Sequence, residues 1–150
     1  MSVRVQTAAF SSSELLESLQ QRDVTAGAAL GFVGLVRDFN QSGQVTALLL
    51  EHYPGMTEKV LAQIEQEARE RWPLLAVEIV HRFGCLAPSE PIVFVGVSSA
   101  HRDAAFQSAA YIMDQLKTRA PFWKKELDGD DGRWVEARAE DQQAAERWDR

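Results

Sequence analysis

The apolar positions of this chain change their period several times, and each change marks an element. Ser11-Ser12-Ser13-Glu14 has the Ser-x-x-Glu form of a helix-capping box, and Leu15, Leu16 and Leu19 give the stripe of a short helix ending near Arg22. AALGFVGLVR (28–37) reads as a strand closed by Arg37, with Gly31 and Gly34 predicting a bulge or a close backbone approach. The polar DFNQSGQ (38–44) reads as a loop and VTALLLEHY (45–53) as the returning strand, so the three together predict a hairpin. After Pro54-Gly55, the spacing of Leu61, Ile64, Ala68 and Trp72 predicts a helix stopped by Pro73.

Two more strands follow, over Val77–Phe83 and Ile92–Val97, and IVFVGV is apolar without alternation, as a strand covered on both faces would be. It is the predicted central strand. The intervening CLAPSEP (85–91) holds two prolines, which predicts that it takes no part in a ladder. Phe106, Ala109, Ala110, Met113 and Leu116 then recur at helical spacing up to Pro121, beyond which Phe122, Trp123 and Lys124 are expected on a bent segment. LDGDDG (127–132) reads as a turn, RWVEAR (133–138) as a strand and DQQAAERW (141–148) as a terminal helix.

With 150 residues, 45% of them hydrophobic, the chain suits one compact domain over 1–150. No run approaches the roughly 18 apolar residues of a membrane span, and MSVRVQTAAF lacks a signal-peptide core, so a cytoplasmic protein is expected. The single cysteine, Cys85, excludes an internal disulfide framework and reads as a half-buried structural thiol. The net charge of −6 argues against a nucleic-acid partner. Yet residues 101–125 carry five Lys or Arg against two acids, which suits a pocket for a small anion better than a broad basic face.

That basic segment holds the chemistry. LKTRAPFWKKE (116–126) places Lys117, Arg119, Lys124 and Lys125 around a proline turn, and clustered ammonium groups beside apolar surface disfavour one another's charge, so a lysine here can act as acid, base or nucleophile. Lysines offsetting a helix C-terminus explain the same residues without chemistry. His101 and Arg102 stand at a helix start, where free backbone N–H groups favour an anion, although capping by Ser99 or Asp103 with both side chains toward water is the better account of that segment from the residues alone. There is no phosphate loop, Gly-x-Gly-x-x-Gly, His-Glu-x-x-His or Gly-x-Ser-x-Gly, and His52, His81 and His101 are too scattered to suggest a metal site.

LEHYPGMTEK (50–59), IVFVGVSSAHR (92–102) and MDQLKTRAPFWKKE (113–126), continued by RWVEAR and DQQAAERW, together resemble the large, catalytic subunit of molybdopterin synthase, the MoaE family. The likeness runs from about Ala28 onward. It implies an α+β protein of the α/β hammerhead type with an additional antiparallel β-sheet, acting as a sulfurtransferase of molybdenum cofactor biosynthesis. The implied sulfur donor is the C-terminal Gly-Gly thiocarboxylate of a small ubiquitin-like partner subunit, and the implied substrate is cyclic pyranopterin monophosphate. The resemblance further implies a homodimer of large subunits within a heterotetramer, with no metal, other cofactor, nucleic acid or membrane. Carried over residue by residue, the catalytic lysines fall on Lys117, which would act on the thiocarboxylate carbonyl, and Lys124, which would serve phosphate and proton transfer. The anion-binding positions fall on Arg37, His101 and Arg102, and more weakly on Arg138. A non-catalytic adaptor for an acidic tail, and a single-strand RNA binder using Phe122 and Trp123 as stacking platforms, are the competing readings of the basic segment.

Overall fold

A computed structural model describes residues 2–37, 39–40, 43–128, 131–135 and 139–149. Its elements in chain order are β1 (Val3–Gln6), α1 (Ser12–Gln21), β2 (Ala28–Leu35), β3 (Phe39–Asn40), β4 (Gly43–Gln44), β5 (Ala47–His52), α2 (Met56–Arg71), β6 (Leu74–Arg82), β7 (Gly84–Leu86) and β8 (Pro91–Ser99). There follow α3 (Arg102–Arg119), β9 (Phe122–Asp128), β10 (Asp131–Val135), α4 (Ala139–Glu146) and a 3₁₀ turn at Arg147–Asp149. One four-stranded sheet runs β1-β6-β8-β2, parallel only at β1/β6; a second, wholly antiparallel, runs β10-β9-β5-β7. The architecture is α+β, with the additional antiparallel sheet that was expected.

The unbroken apolar run of β8 follows from cover on both faces. Val93, Val95 and Val97 join Leu61, Ile64 and Ala68 of α2 and Ala105, Ala109, Ile112 and Leu116 of α3 in the main core. On the reverse face Phe94 packs with Leu19 of α1 and with Ala76 and Val80 of β6. Gly96 sits on that reverse face because a Cβ there would collide with Leu19 and the Phe94 ring. The helix starts follow local chemistry: the Ser11 hydroxyl accepts the Glu14 N–H at 3.3 Å, and the Glu58 carboxylate accepts the Gly55 N–H at 3.0 Å.

Three expectations fail here, each for a reason of pairing. β2 and β5 form no hairpin: β2 pairs with β8 and β5 with β7 and β9, so consecutive strands enter different sheets, and between them β3 and β4 form only a two-residue pair. The segment with two prolines does join a ladder, because β7 stops at Leu86 before Pro88, while Pro91 opens β8, where its missing N–H costs nothing. Phe122–Lys124 lie not on a bent segment but on the regular strand β9. Both glycine uses foreseen in β2 occur, since Gly31 lies against the Phe94 ring and the register shifts between Gly34 and Leu35. Cys85 is exposed rather than half-buried, because it occupies the outward position of β7.

The end of the chain is tied to the helical layer. Trp148 packs edge-on against Trp72 and Tyr111, each at 5.6 Å between ring centroids, and its indole N–H donates to Asp114 at 2.7 Å. Arg71 donates to the Trp148 carbonyl at 2.7 Å and covers the Tyr111 ring, which lays α4 alongside α3.

Candidate active site

Where α3 ends, the chain reverses within two residues. Ala120 turns to extended geometry (ψ 132°) while its N–H still reaches Leu116, and the Phe122 N–H bonds back to Ala120, so β9 starts beside the last turn of the helix that carries Lys117. Strand alternation then separates the aromatic pair. Phe122 pairs with His52 and Lys124 with the buried Leu50, on one face of the second sheet, whereas Trp123 and Lys125 take the other face, with Lys125 Nζ 5.5 Å from the Trp134 ring. Lys124 is thereby turned toward α3 and Lys117.

The two amines lie near enough to act on each other. The Lys124 amine is pushed down to about 8. Burial is the first cause; the nearby Lys117 amine and the charge of Arg37 add to it, against an opposing pull from Asp141. Lys117 itself is exposed at the helix end. Among the described residues the cluster thus joins three basic side chains, Lys117, Lys124 and Arg37, with Asp141 of α4 near them.

Beneath the lysines lies an aromatic floor. His81 is buried and stacked on Phe122, with centroids 3.8 Å apart and planes at 17°. His52 leans on Phe83 at 4.3 Å and lies 3.1 Å from the Thr57 hydroxyl through Nδ1. Burial is the main reason that the His81 pKa is pushed down to about 3, with the nearby Lys124, Lys117 and His52 acting in the same direction and the bond to the Arg82 carbonyl against it.

These shifts give stability a definite slope with pH. Between its ordinary 6.5 and about 3 only the unfolded chain protonates His81, so stability is lost as pH falls through that window; between about 8 and 10.5 only the unfolded chain keeps Lys124 charged, so stability is gained as pH rises there. In urea titrations across pH 7 to 4, His81→Phe is therefore expected to show a shallower fall in midpoint than the parent chain. Equal slopes would mean that His81 is protonated in the folded protein.

The remaining expected site residues are placed differently. His101 and Arg102 are exposed at the opposite end of α3, Arg102 fifteen residues from Lys117, or about 22 Å along a helix rising ~1.5 Å per residue. The His101 N–H donates to the Ser99 hydroxyl at 3.2 Å, so Ser99 serves that helix start. One chain does not bring them to the lysine pair. Arg138 lies outside the described residues, as does the end of the strand expected over 133–138, of which β10 covers residues up to Val135. His81 and Asp141 were missed. For His81 a signal existed, because Val77, Ile79 and His81 alternate onto the core face of β6; for Asp141 there was none. Phe122, occupied by His81, cannot pair with Trp123 as an exposed stacking platform, which removes the RNA reading's main support. Among the described residues no group of three or more His, Cys, Asp or Glu could hold a metal ion, and no helix is long and apolar enough to cross a membrane.

Comparison with known proteins bears on the same residues. The family model described as MoaE protein matches residues 5–119. The molybdopterin synthase catalytic subunit of Pseudomonas aeruginosa is 58% identical over 149 residues, covering 99% of each chain, and that of Escherichia coli is 58% identical over 139 residues, covering 93% of this chain and 92% of its own. Among solved structures, the molybdopterin biosynthesis MoaE protein of Burkholderia ambifaria superposes with a TM-score of 0.85 at 48% identity, covering 99% of this chain and 98% of that one. With its family model matched over most of the chain and its relatives matched nearly end to end, this chain belongs to the MoaE family.

Proposed function

We propose that this chain is the catalytic subunit of a molybdopterin synthase, taking sulfur from the C-terminal thiocarboxylate of a small ubiquitin-like subunit and placing it on cyclic pyranopterin monophosphate. The observation that carries the reading is the adjacent lysine pair, Lys117 and Lys124, set near Arg37 in a chain of this family. In each transfer a C–S bond to the pterin replaces a pterin C–O bond, whose oxygen leaves with its proton or stays on the phosphate, and the acyl C–S bond of the donor breaks, leaving a carboxylate after addition of water. Exposed Lys117 polarises the thiocarboxylate carbonyl or bonds to it transiently. Lys124, with its pKa brought to about 8, moves protons near neutral pH, and together with Arg37 it holds the substrate phosphate.

His101 and Arg102 belong, in this reading, to the pocket of a second copy, since a single chain keeps them at the far end of α3; this fits a homodimer that binds one small subunit at each end. Arg138 is retained as a substrate contact on family grounds. The chain works as one domain, supported by the docking of Trp148 onto α2 and α3. A cytoplasmic setting suits the exposed, unpaired Cys85.

Reconstitution tests the reading. Mixed with a thiocarboxylated small subunit and the cyclic pterin, the chain is expected to form molybdopterin, and Cys85→Ser is expected to do so at an unchanged rate because sulfur arrives from outside. Binding of the small subunit without product would favour the adaptor reading, and loss of activity in Cys85→Ser would move sulfur handling onto this chain.

A further inference from the structure

The imidazole of His81 has no assigned part in the reaction, yet its surroundings are unusually constrained. Its Nδ1 lies 2.8 Å from the carbonyl oxygen of Arg82. A carbonyl only accepts, so Nδ1 carries the proton, and a neutral ring leaves Nε2 without one. The ring belongs to β6 in the first sheet, while Phe122, on which it stacks, opens β9 in the second. Phe122 lies two residues before Lys124 on the same face of β9, and its neighbour across the ladder, His52, is itself held by Phe83 and Thr57. The stack therefore joins the strand that carries Lys124 to the central sheet immediately after the chain leaves α3.

We propose that His81 is a positioning residue for Lys124: its neutral ring, fixed in the Nδ1–H tautomer, holds Phe122 against the first sheet and so sets where β9 delivers the Lys124 amine beside Lys117. The charged and titratable groups around the two side chains agree with this. Lys124, Lys117 and His52 all act against a charge on His81, while Lys117, Arg37 and Asp141 act on Lys124. A neutral ring adds no further cation beside Lys124 and Lys117. The proposal rests on the proton-transfer role given to Lys124 above.

Two substitutions separate the ring from its hydrogen bond. His81→Asn keeps an N–H for the Arg82 carbonyl and loses the ring; His81→Phe keeps a ring for Phe122 and loses the donor. The Lys124 titration is read in the isolated full chain by pH-dependent competitive acetylation and mass spectrometry, and single-turnover transfer is measured on the reconstituted enzyme. His81→Asn is expected to raise the Lys124 midpoint toward that of an ordinary lysine and to slow the chemical step about ten- to a hundredfold, as a displaced reacting group does, with substrate KM nearly unchanged. His81→Phe is expected to restore most of both. An unaltered Lys124 midpoint in folded His81→Asn overturns the proposal, as does a His81→Phe chain no better than His81→Asn. If His81→Asn fails to fold, Phe122→Leu removes the same stack and is read the same way. The acetylation needs neither substrate nor partner. A shifted midpoint combined with full transfer by Lys124→Ala would thus support the positioning contact while overturning the functional reading of Lys124.

Discussion

Lys117→Ala is expected to abolish sulfur transfer in single turnover, a loss of at least about 10²–10³-fold, the range found when one group stabilising an acyl transition state is removed. Affinity for the small subunit should change little, because Lys117 is an exposed side chain at the end of α3 whose removal leaves the helix and the adjoining strand intact. Lys124→Ala is expected to be severe but less complete, since Lys117 and Arg37 still hold the anion. The two variants should also differ in pH dependence. With Lys124 present, the transfer rate rises as pH approaches about 8 and the amine loses its proton; in Lys124→Ala that limb disappears. Single-turnover assays from pH 6 to 9, with partner binding measured in parallel, decide the matter. Full activity in Lys117→Ala would remove it from the mechanism, and an unchanged pH limb in Lys124→Ala would assign the titration to another group.

The second large effect concerns the aromatic pair. Phe122→Ala is expected to destabilise the chain by about 3 kcal/mol, the lower end for loss of a packed aromatic because Phe122 is only partly buried. It also removes the surface that Lys124 depends on. Trp123→Ala is expected to cost below about 1 kcal/mol, since that side chain is 49% exposed on the opposite face of β9. Urea unfolding of the two variants separates these outcomes; a Trp123 cost equal to that of Phe122 would mean that the outer face of the second sheet is also packed. From the sequence no such difference is expected, since Phe122, Trp123 and Lys124 are placed together on a bent segment. A proline followed by two aromatics does not reveal whether the next residues turn or extend, and only the extended case sends neighbours to opposite faces.

The same distinction between local and distant information separates what could be read early from what could not. The three long helices and the central strand β8 were legible because period and apolar continuity are local properties of Leu61, Ile64 and Ala68, or of Val93 through Val97. The false hairpin arose because the partners of β2 and β5 lie far along the chain, at Ala28↔Ser99 and Ala47↔Leu127. In the site, Lys117 and Lys124 were legible as a pair because the proline turn between them is short. His101 and Arg102 share a helix with Lys117, yet helical rise carries them away from it. His81 and Asp141 join the lysines through β6 and α4, across contacts that no motif spans.

The far partnership of β5 has a consequence for how the molecule comes into being. Its ladder with β7 closes over a moderate loop, but the other edge waits for β9, where His52 meets Phe122 and Ala47 meets Leu127. During synthesis from the N-terminus, one edge of β5, the strand that carries the apolar Leu48 and Leu50, thus stays unpaired until β9 has emerged. Such pairings close late because the entropy of the intervening loop opposes them until many contacts form together. Lys124 arrives on the strand that completes this sheet, so the second sheet closes only after the α3 residues of the main core have emerged.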